Sequence, residues 1–180
     1  MTFPVFASGD VLNASDMNAV GLWLVKTQTI GTAVSSVAVS SCFSSDYDNY
    51  RIVIIGGVAS TDGALNMTLG AANSGYYWAG FYTRFDAGGT GQLAGNNTTL
   101  WRIGTGSTNN ISATFDVTSP NLAKVTAYTG QWTDTTTTAG NASVFYGGFQ
   151  NSTTQFTGFT IAPASGTLTG GTIRVYGYRN

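Results

Sequence analysis

The sequence predicts an all-β fold: an antiparallel, jelly-roll-like β-sandwich preceded by a short N-terminal helix or extended anchor. Three observations carry this reading. Apolar residues recur at every second position in about ten short segments, the period of a strand with one buried face. Clusters of Gly, Asn and Ser separate those segments at intervals of roughly 8–16 residues. Between them lies no helical stretch that could serve as a parallel crossover, which favours an antiparallel sandwich over a parallel α/β sheet.

Residues 1–24 read as an anchor and 25–180 as the sandwich. In the anchor, an apolar irregular lead-in runs into a helix start at 13–18. Asn13 can cap it, Asp16 is a short-armed capping-box partner three residues on, and Leu12 and Met17 occupy the two positions of a hydrophobic staple. So small a helix cannot bury its own apolar groups. Phe3, Phe6, Leu12, Met17, Leu22 and Trp23 are therefore expected to dock on the following domain, on sister copies or on another protein.

The strands follow in order. Residues 25–30 end at Gly31, and 33–43 alternate weakly through Val37 and Val39. An Asp46-Tyr47-Asp48-Asn49 turn launches 50–55, whose continuous apolar run predicts burial on both faces. Leu65, Met67 and Leu69 alternate, then 76–85 form a long aromatic strand. Residues 100–103 are short, and Ile111, Ala113, Phe115 and Val117 alternate cleanly. Further strands fit 123–128, 142–149, 156–161 and 172–178. Segments 86–99 and 133–141, polar and glycine-bearing, read as loop tips. No heptad or regular repeat provides a shaft.

Composition narrows the function classes. Of 180 residues only 8% are charged and the formal net charge is -1, so electrostatics give no reason to expect a nucleic-acid or anionic-membrane partner. There is no His, and every acid is Asp. The commonest metal ligand and the usual neutral-pH proton-transfer group are both missing, and no catalytic residue, metal site or cofactor is expected. Cys42 has no partner for an internal disulfide. Neither a secretory signal nor a bilayer-spanning run is visible; the longest apolar run, 52–59, is far too short, so membrane insertion is not expected.

Two strands present candidate surfaces. In 76–85, Tyr77, Phe81 and Phe85 read as the core face, leaving Tyr76, Trp78, Tyr82 and Arg84 outside. In the last strand Ile173 and Val175 oppose Arg174, Tyr176 and Tyr178. Amphipathic rings beside arginine suit either a sugar-stacking platform or a subunit interface, and the interface or structural reading is preferred because the pattern occurs twice. Asp46 and Asp48 are better explained by turn chemistry than by calcium or glycosidase chemistry. The glycines at 88–91 and 170–171 lack the lysine and the strand-to-helix context of a phosphate loop.

With Phe6, Gly9, Leu12, Ala14, Met17 and Asn18 in the lead-in, the turn and strand at 43–52 and the ending at 166–178, the chain resembles the small appendage proteins of tailed bacteriophages, their fibre and minor virion proteins. The resemblance implies a homotrimeric jelly-roll-like domain whose N-terminal segment plugs into other virion proteins of the tail, collar or capsid. The chain departs from long tail fibres in having no shaft. The expected function is thus a non-enzymatic virion protein made in the host bacterial cytoplasm. It would be a short fibre-type appendage held by its N-terminus, contacting host surface polysaccharide for attachment. The alternatives are a purely structural capsid decoration, collar or head-fibre protein and, more remotely, a carbohydrate-active hydrolase resting on the Asp residues.

Overall fold

The computed structural model describes residues 8–9, 21–86, 88–136 and 141–178. Among them there is no helix, and the strands are, in chain order, β1 (Leu22–Thr29), β2 (Val37–Val39), β3 (Asn49–Ile55), β4 (Val58–Ala59), β5 (Gly63–Leu69), β6 (Tyr76–Arg84), β7 (Thr90–Thr98), β8 (Trp101–Gly106), β9 (Ser112–Thr118), β10 (Thr126–Asp134), β11 (Ala142–Gln150), β12 (Phe159–Pro163), β13 (Leu168–Thr169) and β14 (Thr172–Tyr178). All pair antiparallel. One sheet of eight strands runs β1-β14-β3-β9-β10-β11-β6-β7, a second of four runs β2-β12-β5-β8, and β13-β4 form a small ribbon. The expected helix start at 13–18 and the anchoring groups Phe3, Phe6, Leu12 and Met17 lie outside the described residues.

Strand alternation builds the core. Tyr50, Ile52 and Ile54 of β3, Phe115 and Val117 of β9, and Ile173 and Val175 of β14 turn inward from the large sheet. They share one core with Leu65, Met67 and Leu69 of β5, Trp101 and Ile103 of β8, and Phe159 and Ile161 of β12. This inner-face meeting of two antiparallel sheets is a β-sandwich. Tyr50 also ties down the turn before β3: the Ser44 amide donates to its hydroxyl (2.7 Å), and that hydroxyl donates to the Ser44 carbonyl (3.0 Å).

The structure corrects five readings. First, β1 begins at Leu22, so Leu22 and Trp23 belong to the sandwich, paired with Tyr178 and Gly177 of β14. Backbone pairing along the sheet edge extends the strand into the apolar stretch that reads as anchor. Second, β3 is buried on one face only, with Arg51 and Val53 half-buried and Ile55 exposed, because nothing among the described residues covers the outer face of the large sheet there. Third, 86–99 is not a loop but contains β7, an edge strand. Its glycines accommodate rings from β6: a Cβ on Gly91 would strike the Tyr82 ring, and one on Gly95 the Trp78 indole. Fourth, the strand read at 123–128 begins at Thr126 and continues to Asp134, well beyond the expected end, because it pairs with β9 on one side and β11 on the other.

The fifth correction concerns the faces of β6, which are the reverse of the expectation. Tyr76 is fully buried, and Trp78 and Tyr82 pack against the core. Phe81 is 58% exposed and Phe85 61% exposed. The register supplies the reason: Tyr82 lies opposite Gly91, and Gly80 lies between Leu93 and Tyr146. Glycines on the inward face leave room for rings of neighbouring strands to lie flat over the backbone, which compensates the packing a strand glycine lacks.

Candidate functional site

The large sheet is wider than the small one. The small sheet ends at β8, whereas the large sheet continues through β11 and β6 to β7. Where this overhang emerges from beneath β8, the inner face is left open and forms a hollow of about 220 Å³ lined by Tyr82, Arg84, Leu93, Arg102, Asp134, Ala142, Val144 and Tyr146. Five strands contribute, and their registers explain the assembly. Tyr82 and Arg84 of β6 sit opposite Val144 and Ala142 of β11, so two rows of inward residues become one floor. Arg102 comes from β8, the edge of the opposing sheet.

The hollow has an aromatic floor and a polar wall. Tyr146 is stacked on Trp132 (centroids 4.8 Å apart) and tilted against Trp78 (5.5 Å). Trp132 in turn donates its indole N–H to Thr105 Oγ1 at 3.0 Å, which fixes its ring. The Arg102 guanidinium lies over the Tyr146 ring at 6.0 Å, and that of Arg84 over Tyr82 at 5.9 Å, both at cation–π range. Burial pushes the Tyr146 hydroxyl pKa up, with Arg102 opposing and Tyr82 and Asp134 reinforcing. The hydroxyl is therefore a proton donor at neutral pH. Among the described residues neither this hydroxyl nor Arg102 Nε has a hydrogen-bond partner, although both are shut off from solvent. Asp134 accepts from the Thr136 amide at 2.9 Å.

The candidate residues of β6 and β14 do not come together. Tyr76 is a core residue whose hydroxyl accepts from the Leu69 amide (2.7 Å) and donates to the Ala72 carbonyl (3.2 Å). Trp78 donates to Thr98 Oγ1 at 3.2 Å, and only Tyr82 and Arg84 reach the hollow. Arg174, Tyr176 and Tyr178 lie half-buried on the opposite, outer face of the large sheet, alternating with buried Ile173 and Val175. Leu22 is exposed on the same edge strand that carries Trp23. Arg102, Asp134 and Tyr146 were not singled out by sequence; Arg102 in its short strand was the available signal, as one of only seven basic residues.

On the outer face, Arg51 of β3 grips Asp116 of β9 with two hydrogen bonds of 2.9 Å, and Tyr178 donates to the same carboxylate at 2.6 Å. Burial works against the Asp116 charge, but the bonds from Arg51 and Tyr178 outweigh it and hold the carboxyl below its ordinary value. Burial, followed by the hydrogen bond to Asp116, pushes Tyr178 up to about 12. Because the Asp116 pKa is depressed by folding, its contribution is present above the unfolded value and lost as pH falls through the folded one. For a half-exposed cluster it amounts to about 1 kcal/mol after screening. Asp116→Asn should lower the urea midpoint at neutral pH and flatten the acid-side loss of stability; an unchanged pH profile would refute this role.

Farther along the same outer face, Tyr77 stacks on Phe149 (4.8 Å) and Phe81 on Phe145 (5.4 Å). Phe145 and Phe149 are 43% and 40% exposed, and Phe85 continues the row. The outward residues around them, Ala79, Thr83, Ser143, Gly147, Thr129 and Gln131, are all uncharged.

The protein is thus an antiparallel β-sandwich with an arginine-lined aromatic hollow on the inner side of its wide sheet and, on the outer side, an aromatic patch over β6 and β11 beside the Arg51–Asp116 pair. Comparison with known proteins adds no relative: no family model, no curated protein and no solved structure matches the chain.

Proposed function

We propose that the protein is a non-enzymatic structural component of a tailed-phage virion, a short fibre-type appendage. Its N-terminal segment attaches it to other virion proteins, and its jelly-roll-like domain contacts host surface glycan. The observation that carries the glycan contact is the hollow: Tyr82 and Tyr146 supply rings, while Arg84, Arg102 and Asp134 supply donors and acceptors around them. Rings for the apolar face of a sugar and polar groups for its hydroxyls are the usual division of labour in a small-ligand site. A single hollow of this size holds one sugar residue, so useful attachment comes from several copies acting together. The uncharged outer face of Phe81, Phe85, Phe145 and Phe149 is suited to contact with sister subunits in a homotrimer. It also favours the second reading, a purely structural decoration, collar or head-fibre protein, because an exposed apolar patch is as useful for packing into a particle.

The boundary at Leu22 dictates the test. Truncation of residues 1–20 leaves β1 whole and is expected to abolish incorporation into particles while the sandwich still unfolds cooperatively. Normal incorporation of the truncated chain would refute the anchor. In particles carrying the full chain, Tyr82→Ala should lower host adsorption about tenfold or more, the loss of one aromatic contact at each copy. Unchanged adsorption with normal incorporation would favour the purely structural reading.

A further inference from the structure

The charge of the hollow's ligand follows from what lines it. Two guanidinium groups, Arg84 and Arg102, face one carboxylate, Asp134. Among the described residues neither arginine is ion-paired, and Asp134 is occupied by the Thr136 amide rather than bridged to either of them. In a chain with only seven basic residues, two unpaired ones at one hollow leave a local excess of positive charge. Arg102 Nε and the Tyr146 hydroxyl are both donors without an acceptor, and Tyr146 is only 4% exposed. A buried donor without a partner is costly to the folded chain, and a ligand that brings an acceptor relieves it. Hydroxyls alone would satisfy such donors weakly; a carboxylate accepts from a guanidinium through two parallel bonds.

We infer that the hollow binds an acidic sugar residue of the uronic-acid type, its carboxylate held by Arg102 and Arg84 and its ring set against Tyr82 and Tyr146. The inference rests on the glycan-binding reading and narrows it to one chemical class. Arg102, now lying over the Tyr146 ring, turns toward the carboxylate and uncovers the Tyr146 hydroxyl, which donates to the same group or to a neighbouring ring oxygen. Asp134 keeps one oxygen toward the Thr136 amide and offers the other to a sugar hydroxyl. That single acid also sets a limit: a ligand carrying two adjacent charges is disfavoured, because one would meet Asp134.

The test is titration of the full chain with D-glucuronate and, separately, with neutral methyl glucoside, followed by calorimetry and by tryptophan fluorescence, since Trp132 and Trp78 adjoin Tyr146. Glucuronate should bind about tenfold or more tighter than the glucoside, with an affinity that weakens as salt is raised. Arg102→Gln and Arg84→Gln should each remove most of that preference. Arg84 is exposed, so its variant keeps the test valid if the Arg102 variant fails to fold. Equal binding of both sugars overturns the acidic preference and leaves the glycan reading standing. Glucuronate binding that survives both arginine substitutions places the site elsewhere and overturns the inference. No binding of either sugar at about 10 mM, where even contacts of millimolar strength are visible, overturns the inference and the glycan reading together.

Discussion

Trp101→Ala is expected to cost about 3–5 kcal/mol, a large fraction of the roughly 5–15 kcal/mol that holds an ordinary domain folded. Trp101 is wholly buried at the start of β8. It meets Tyr76 edge-on at 5.3 Å and Tyr128 at 4.6 Å, and its indole N–H donates to the Phe149 carbonyl at 3.2 Å. That bond crosses from the small sheet to β11 of the large one, so truncation opens a cavity between the sheets and removes a link between them at once. Tyr128 is fastened in the same way, donating to the Arg102 carbonyl at 2.7 Å. Trp101 therefore also holds the base on which Arg102 stands. Urea denaturation measures the effect; a midpoint that moves by less than about 1 kcal/mol equivalent would contradict this account of how the sheets are joined. Trp101→Phe should retain roughly half the packing but not the hydrogen bond, and fall between.

The second large effect concerns assembly. Phe81→Ser combined with Phe145→Ser removes one stacked pair, centroids 5.4 Å apart, from the middle of the outer aromatic face. If that face joins sister subunits, two central aromatic anchors are worth about 2 kcal/mol or more each, and the association constant should fall by several hundredfold. Sedimentation velocity should then show monomer where the parent chain shows oligomer. Because the two rings are 58% and 43% exposed in the single chain, the substitutions should lower the urea midpoint of the isolated domain far less than Trp101→Ala does. An oligomer that persists through the double substitution would place the subunit contact on another surface.

Much of the architecture is legible in the sequence. Period-two alternation locates β5, β9 and β14 because each buries one face, whereas β3 shows as a continuous apolar run and β6 as a run of aromatic residues; the absence of helical spacers favours antiparallel pairing. The strands that escaped were those without alternation. β7, with Gly91, Gly95, Asn96 and Asn97, has the composition of a loop and exists because β6 lends it a hydrogen-bonding edge. The two-residue strands β4 and β13 pair with each other, and Leu168 of β13 also exchanges two backbone hydrogen bonds with Val34.

The hollow was half legible. In the sequence Tyr82 and Arg84 read as an amphipathic ring beside a base on the outer face, with Phe81 and Phe85 in the core. Alternation divides a strand into two faces and is unchanged when the faces are exchanged, so side-chain polarity alone decided that assignment. The structure decides it by space: Gly80, Gly91 and Gly95 leave room on the inner face for the broad Tyr and Trp rings of neighbouring strands. The spacing of Gly91 and Gly95 matches that of Tyr82 and Trp78, a signal that becomes readable only once β6 and β7 are known to pair.

Local period and composition are thus enough to dictate a β-sandwich, a chain poor in charge, and a last strand with alternating Ile173, Val175 and tyrosines. Only the tertiary structure decided which face of β6 turns inward, how far the eight-stranded sheet overhangs its partner, and that Tyr82, Arg102, Asp134 and Tyr146 share one hollow. Those are consequences of which distant strands lie side by side and in what register, and registers between strands so far apart in the chain are set by the mutual fit of side chains across the sheets rather than by any local pattern.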